Sequence, residues 1–334
     1  MGYAIVIPTV GRDTLSTVVS VLGEGSGPLP DEVLVVNDRP GQPLPLRIPP
    51  GLVGRLRVLD GPGRGPAAAR NVGWRAASMP WVVFVDDDVV PGSTWRRQLA
   101  HDLTQAGVAV AVAGRISVPP PVGRRPTDWE RQVAGLAAAS WITADIAYRR
   151  DVLEEVGGFD ERFPRAYRED TELALRVTSR GYALAYGTRQ SSHPVRPAGR
   201  WVSVERQRGN ADDALLRRLY GREWRRLTGV PRGRRPWHAL ATASGVWGLA
   251  SLAAGRRRAA AIAALVWLGA TAEFAARRIA PGPRTAGEVG VMLLTSAAIP
   301  PVATLHWLRG WLSHPSVRPV KTLAGLPSVD GDLR

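Results

Sequence analysis

Between residues 3 and 190, short apolar runs alternate with stretches of helical spacing, and this rhythm leaves the chain few architectures to adopt. The runs at 3–7, 32–36 and 81–85, apolar apart from Glu32 at the start of the second, have no polar side to show to water, so they read as strands covered on both faces. Helix-length segments separate them, at 12–22, 66–78, 93–106, 151–156 and 169–180. The expected fold is α/β, a Rossmann-like and mostly parallel sheet joined by crossover helices. Further strands are expected at 108–116, 141–148 and 182–186, with a Pro/Gly-rich loop after residue 36 and a closing helix over 202–219. The first apolar run stops at Pro8 and follows no basic stretch. It reads as a buried strand and not a signal peptide, which puts the first domain in the cytoplasm.

The 334 residues include no cysteine, which excludes disulfide frameworks, thiolate zinc sites and cysteine nucleophiles. Lys321 is the single lysine among 44 basic residues and no GxxxxGK[ST] motif occurs, so phosphate binding by a Walker lysine is excluded too. Charge is placed unevenly. Residues 1–195 carry 22 Arg against 21 acids, a net of +1, whereas residues 196–334 carry 22 basic residues against 8 acids, a net of +14. Such a region suits a polyanion, either an anionic leaflet or nucleic acid, with a solvated arginine-rich surface as the plainer alternative.

Composition also divides the chain into an expected catalytic domain at 1–228, a Pro/Gly/Arg linker at 229–236, an apolar α-helical region at 237–312 and a polar tail at 313–334. Three apolar segments, 237–255, 259–272 and 289–305, are separated by Arg256, Arg257 and Arg258 and by Arg277, Arg278 and Arg284. The first and third approach the roughly 20 residues that a membrane crossing needs, and Pro300 and Pro301 interrupt the third. Three crossings would set Arg256–Arg258 on the far side from the catalytic domain, against the positive-inside tendency. Helices that lie in, or re-enter, the cytoplasmic interface are therefore expected, with a packed soluble bundle as the alternative.

Several local patterns carry chemistry. Residues 81–88 form an apolar strand that ends in Asp86, Asp87 and Asp88, where open parallel sheets bind ligands, and paired carboxylates there suit Mg²⁺ or Mn²⁺ bridging phosphates. Asp38 ends a neighbouring strand beside the exit of the first one at Pro8 and Thr9, and can hydrogen-bond a base or ribose or simply form a turn. A glycine loop, 60–66, runs into a helix carrying Arg70 and Asn71, which suits an anionic ligand. Gly157-Gly158-Phe159-Asp160 turns the chain before Glu169 and Asp170, acids that either act chemically or stabilise a helix start. His193, after the last strand, can close over a metal or pyrophosphate, or be structural.

In their sequence order, Ile5-Val6-Ile7-Pro8-Thr9, Val35-Val36-Asn37-Asp38, Ala69-Arg70-Asn71-Val72-Gly73, Asp86-Asp87-Asp88, Gly157-Gly158-Phe159-Asp160-Glu161 and Glu169-Asp170-Thr171-Glu172-Leu173 resemble the motif series of family 2 glycosyltransferases with the GT-A fold. The resemblance covers residues 3–190 and implies inverting, metal-dependent transfer of a sugar from a nucleotide-diphosphate donor. It implies donor contacts at Pro8, Thr9, Arg12, Asp38, Arg70, Asn71, Asp86 and Asp87, and metal ligation at Asp88 and Asp86, which His193 can join. Asp170 takes the place of the catalytic base, and Gly158, Phe159, Asp160 and Glu169 fall on the acceptor side. One departure stands out: the family often has Asn where this chain has Asp145. The partners implied are a nucleotide-diphosphate sugar, a lipid-linked or glycan acceptor and the anionic cytoplasmic face of the cell membrane, with no nucleic acid. Two rivals remain. A sugar nucleotidyltransferase would want a glycine-rich signature with a basic residue at the first strand's exit, where this chain has only Gly11-Arg12. A non-enzymatic basic protein would bind membrane or nucleic acid through its Trp and Arg residues.

Overall fold

The computed structural model describes residues 2–317, 319 and 320, and the chain falls into two compact units. One comprises residues 2–119 and 134–195, the other residues 120–133 and 196–320. The units part at residue 195, before the expected linker at 229–236, because the Asn210–Tyr220 helix packs on the Ala286–Ser313 helix, so closely that a Cβ on Gly310 would stand 2.4 Å from Ala211 O.

The first unit is built on an eight-stranded sheet. Its strands are β1 (Tyr3–Thr9), β2 (Glu32–Asn37), β3 (Leu56–Asp60), β4 (Trp81–Val85), β5 (Val90–Pro91), β6 (Ala109–Ser117), β7 (Asp145–Arg149) and β8 (Ala183–Ser192). They lie in the order β3-β2-β1-β4-β7-β6-β8-β5. The β1–β2, β2–β3, β1–β4 and β6–β8 pairs are parallel, and β7 runs antiparallel between β4 and β6. Period-two alternation splits the core across the sheet. Ala4 and Val6 face one layer with Phe84, Tyr148 and Leu173, while Ile5 and Ile7 face the other with Leu15, Val83, Trp95 and Leu99.

Parallel register sets Thr9 opposite Asn37 and Asn37 opposite Asp60, so the carboxyl ends of three strands share one edge with the acids that follow β4. Three differences from the sequence reading have local causes. β3 emerges within the expected Pro/Gly loop as a short edge strand with mostly exposed side chains, so it lacks an apolar signature. Residues 141–144 do not belong to β7, since Trp141 adopts φ +59°, a left-handed conformation that no strand accommodates. β8 extends past residue 186 to Ser192, and Val90 pairs with Ser192 there.

The second unit is helical. A short 3₁₀ turn links Val202–Glu205 to Asn210–Tyr220, and the three apolar segments become the helices Arg235–Ala253, Arg257–Ile279 and Ala286–Ser313. The last runs through Pro300 and Pro301 without interruption. Its middle is fixed by buried Arg278, which donates to Thr295 Oγ1 and Ser296 Oγ at 2.9 Å, to Asp128 Oδ2 at 2.8 Å and to Ser203 Oγ at 3.0 Å. This cluster also ties residues 120–133 to the helices. By length and apolar content, the second and third helices reach membrane-spanning size, not the first and third.

Candidate active site

The three acids after β4 point to different partners. Asp87 is fully buried; its Oδ2 accepts from Thr9 Oγ1 at 2.6 Å and its Oδ1 pairs with the Arg12 guanidinium. Burial pushes its carboxyl pKa up, opposed by the Arg12 charge and the Thr9 hydrogen bond. Asp87, Thr9 and Arg12 thus lock the exit of β1 to the exit of β4. Asp86, a quarter exposed, accepts from Arg70 Nη2 at 2.7 Å. Asp88 Oδ1 stands 3.7 Å from His193 Nε2. The pairing of Val90 with Ser192 creates that approach, since it sets the residues flanking β5 and β8 side by side.

Arg70 joins the two halves of the site. Its guanidinium is 1% exposed, donates from Nη1 to Glu169 Oε1 at 2.8 Å while Nη2 holds Asp86, and lies 5.5 Å from the centre of the Phe159 ring. The strand-end acids and the start of the Glu169–Thr178 helix therefore face one place. Arg70 Nε and Glu169 Oε2 remain buried with no hydrogen-bond partner among the described residues, as expected where a ligand completes the site. The carboxyls of Glu169 and Asp170 both have raised pKa values, chiefly through burial. Asp170 is half-buried, and its Oδ1 accepts from Thr171 N at 2.6 Å; this bond and the Arg70 and Arg168 charges oppose the upward shift. Arg168, just ahead of these acids, adopts φ +78°, a conformation that costs a non-glycine residue of order 1 kcal/mol or more and aims the helix start.

Other expected site residues also hold the backbone around the site. Asp38 accepts from Gly63 N at 2.8 Å and Gly65 N at 2.7 Å, so its carboxylate organises the glycine loop ahead of Arg70. Asn71 is used up by the turn at 157–161: its Nδ2 donates to Phe159 O and Glu161 Oε1 at 2.9 Å, and its Oδ1 accepts from Phe159 N at 2.9 Å and Trp74 Nε1 at 2.8 Å. Phe159 is buried edge-on against Phe84 at 5.0 Å. Asp160 pairs with Arg162, which holds its carboxyl below the ordinary value despite burial. Pro8 is buried in β1 against Val36.

Gly158 has φ +71°, and a Cβ there would stand 2.4 Å from Trp74 Nε1 and 2.5 Å from Asn71 Oδ1. Gly158→Ala is expected to destabilise the sheet unit by about 1–3 kcal/mol through this strain, read as a lower denaturant midpoint. An unchanged midpoint would mean that the turn relaxes without cost.

A buried network escaped the sequence reading. Arg189 Nε donates to Asp145 Oδ1 at 2.7 Å and Nη1 to Asp102 Oδ2 at 3.2 Å, while Asp145 Oδ2 accepts from Trp95 Nε1 at 2.6 Å and Ser191 Oγ at 2.7 Å. Asp145 is 1% exposed, its carboxylate spent inside the sheet unit on Arg189, Trp95 and Ser191. Two signals pointed to it: Asp where the family often has Asn, and the spacing of Gly187, Arg189 and Ser191 on one face of a strand.

Fold and site together define a GT-A type sheet whose switch-point edge gathers acids around one buried arginine. Residues 4–167 match the model of glycosyl transferase family 2. The pre-mycofactocin glycosyltransferase of Mycobacterium tuberculosis, in strains CDC 1551 / Oshkosh and ATCC 25618 / H37Rv, is 33% identical over an alignment of 144 residues that covers 39% of this chain and 30% of the relative. The match thus spans under a third of the relative's length. The solved mannosyltransferase PcManGT from Pyrobaculum calidifontis, in complex with GDP-Man and Mn²⁺, aligns over 92% of this chain and 86% of its own at a TM-score of 0.50 and 18% identity, a likeness of fold.

Proposed function

We propose that this protein transfers a sugar from a nucleotide-diphosphate donor to an acceptor hydroxyl with inversion, using Mg²⁺ or Mn²⁺, at an anionic membrane surface that presents a lipid-linked or glycan acceptor. The observation that carries the reading is Arg70, whose single buried guanidinium holds both Asp86 and Glu169 and so brings the acids after β4 to the acids of the Glu169–Thr178 helix. The match of residues 4–167 to the family model supports it.

Among the described residues no group of three or more His, Asp or Glu side chains is arranged to hold a metal. The available donors are the Asp88 carboxylate and the His193 imidazole, with Asp86 beside Arg70. Two such ligands fit a hard cation that takes its remaining ligands from water and phosphate oxygens, the usual way Mg²⁺ is held with nucleotides. Bound there, the ion would offset the charge that develops on the departing diphosphate.

In the displacement, the acceptor oxygen bonds to the anomeric carbon as the bond to the donor phosphate oxygen breaks, through an oxocarbenium-like transition state. Asp170 takes the acceptor's proton, and its raised pKa improves it as a base. Glu169 and Asp86 hold Arg70 in place; Thr9 and Arg12 act through Asp87 to fix the strand ends that frame the donor.

Donor hydrolysis by the purified protein, screened over GDP-, UDP- and dTDP-sugars with Mn²⁺ or Mg²⁺, tests this reading. GDP-mannose comes first because PcManGT is in complex with it. No turnover of any donor, with or without lipid-linked acceptors, would reject it. Calorimetry with nucleoside diphosphates adds a sharper expectation: chelation, or Asp88→Ala, weakens binding by at least about tenfold, 1.4 kcal/mol. Equal affinity in all three conditions would remove the metal from the scheme.

A further inference from the structure

We infer that the helices Arg235–Ala253 and Arg257–Ile279 form a membrane-crossing hairpin whose occupant is the bilayer interior, with Arg256, Arg257 and Arg258 delivered to the opposite headgroup layer. The inference deepens the membrane-surface reading above and rests on it. Packing within the hairpin is the reverse of a water-soluble bundle. Above its base the buried side chains of the hairpin are small, Ala241, Ser244, Ser251 and Ala263, and the helices approach closely at glycines: a Cβ on Gly248 would meet Ala263 in ordinary contact, and one on Gly245 would stand 3.2 Å from the half-buried Trp267 ring. The large apolar ones point outward: Trp247 is 59% exposed, Leu249 72%, Ile262 65% and Leu265 69%. In water the large residues would be inside and the small ones dispensable. Small residues at the seam with large ones facing out is how helices pair in lipid, where close backbone approach supplies the attraction.

Length and charge agree with a crossing. The helices have 19 and 23 residues, and of the two only the second reaches the apolar content of a membrane span; their stretches free of Asp, Glu, Lys and Arg, 236–255 and 259–272, cover about 30 and 21 Å at 1.5 Å per residue against a hydrocarbon core of about 30 Å, and Glu273 at the end of the second is paired with Arg234 and Arg277. No Asp, Glu, Lys or Arg lies between Arg235 and Arg256, or between Arg258 and Glu273. Apolar residues occupy the whole circumference, unlike a helix lying in the interface, which needs a charged face. Two hydroxyls on the first helix are satisfied locally, Thr242 Oγ1 donating to His238 O and Ser244 Oγ to Ala241 O. Both ends are charged. The base carries Trp237 with Arg225, Arg226, Arg232, Arg234, Arg235 and Arg277, and the excess over the three tip arginines sets the base on the cytoplasmic side.

The Ala286–Ser313 helix does not share this environment. Glu288 Oε1 accepts from Asp128 N, Thr295 and Ser296 accept from Arg278, and Trp311 O accepts from Arg218 Nε, so polar groups of the second unit engage it near both ends and in the middle. It braces the base of the hairpin, where Thr242 Oγ1 meets Thr304 Oγ1 at 3.3 Å and Arg235 lies over the Trp307 ring.

The chain's lack of cysteine makes labelling decisive. The full chain is expressed with Ala254→Cys or Arg257→Cys at the tip and Ala280→Cys at the base, and a membrane-impermeant maleimide is applied to sealed spheroplasts and to inverted inner-membrane vesicles. Both tip variants are expected to label only in spheroplasts and the base variant only in inverted vesicles, with the protein retained after alkaline carbonate extraction. Labelling of tip and base from the cytoplasmic side alone, in protein that stays with the membrane, overturns the crossing and leaves the membrane-surface reading intact. Recovery of the protein in the soluble fraction overturns both.

Discussion

Replacing Asp170 by Asn is expected to leave nucleotide-diphosphate binding intact and to lower sugar transfer by about 10²- to 10⁴-fold, the usual worth of a general base. The substitution keeps the side chain's size and its acceptor oxygen toward Thr171 N, so the helix start should survive. What it removes is the site for the acceptor's proton. The pH profile gives a second readout. Because burial raises the Asp170 pKa, the carboxylate that acts as base is lost, as pH falls, sooner than an ordinary aspartate would be. Wild-type kcat/KM should therefore decline on the acid side at a pH above the ordinary aspartate value, and the variant should lack that limb. Near wild-type transfer by Asp170→Asn would reduce the residue to a helix-start acid and direct attention to Glu169. Glu169 is a poorer base on geometry, since one of its oxygens is committed to Arg70 and its side chain is 2% exposed.

The parts of this site that could be read from the sequence are those fixed by strand ends. An apolar run such as Trp81–Val85 can only be a doubly covered strand, and the acids after it must then emerge at the sheet's carboxyl edge. Which acid faces the ligand could not be read. Asp86, Asp87 and Asp88 are consecutive, and only the three-dimensional neighbours, Arg70, the Thr9 and Arg12 pair, and His193, give them different tasks. Asn71 and Asp38 were recognisable as parts of a motif but not as loop anchors, because their partners are backbone groups whose positions follow from tertiary structure. The C-terminal helices show the limit from the other side. Apolar content located all three, yet counting apolar residues ranked the second segment last; its helix extends beyond the apolar stretch through Glu273 to Ile279, with Arg277 and Arg278 as its terminal turn.

Arg189→Met is expected to destabilise the sheet unit by about 3–5 kcal/mol, the cost of leaving buried carboxylates without their counter-ion. Arg189 has no exposed surface and serves two acids on different elements, Asp102 on the Trp95–Thr104 helix and Asp145 at the start of β7, while Nη2 donates to Val112 O in β6 at 2.7 Å. The surrounding backbone has no slack to admit water in its place. A Cβ on Gly114 would lie 2.5 Å from the Asp145 carboxylate and one on Gly187 2.1 Å from that of Asp102. Urea unfolding should show the loss as a lower midpoint at unchanged slope. Adding Asp145→Asn to the variant should recover part of it, because an amide oxygen still accepts from Trp95 Nε1 and Ser191 Oγ while the unpaired charge is gone. That recovery separates charge from packing: a double variant no more stable than Arg189→Met alone would assign the loss to the missing guanidinium's contacts. Recovery would also explain the departure from the family's Asn, since it would show that Asp at this position is tolerable only where an arginine on β8 reaches it. The same pair connects stability to the site, because Ser191 bonds Asp145 two residues before His193, and a β8 that loses this anchor should hold the imidazole less firmly beside Asp88.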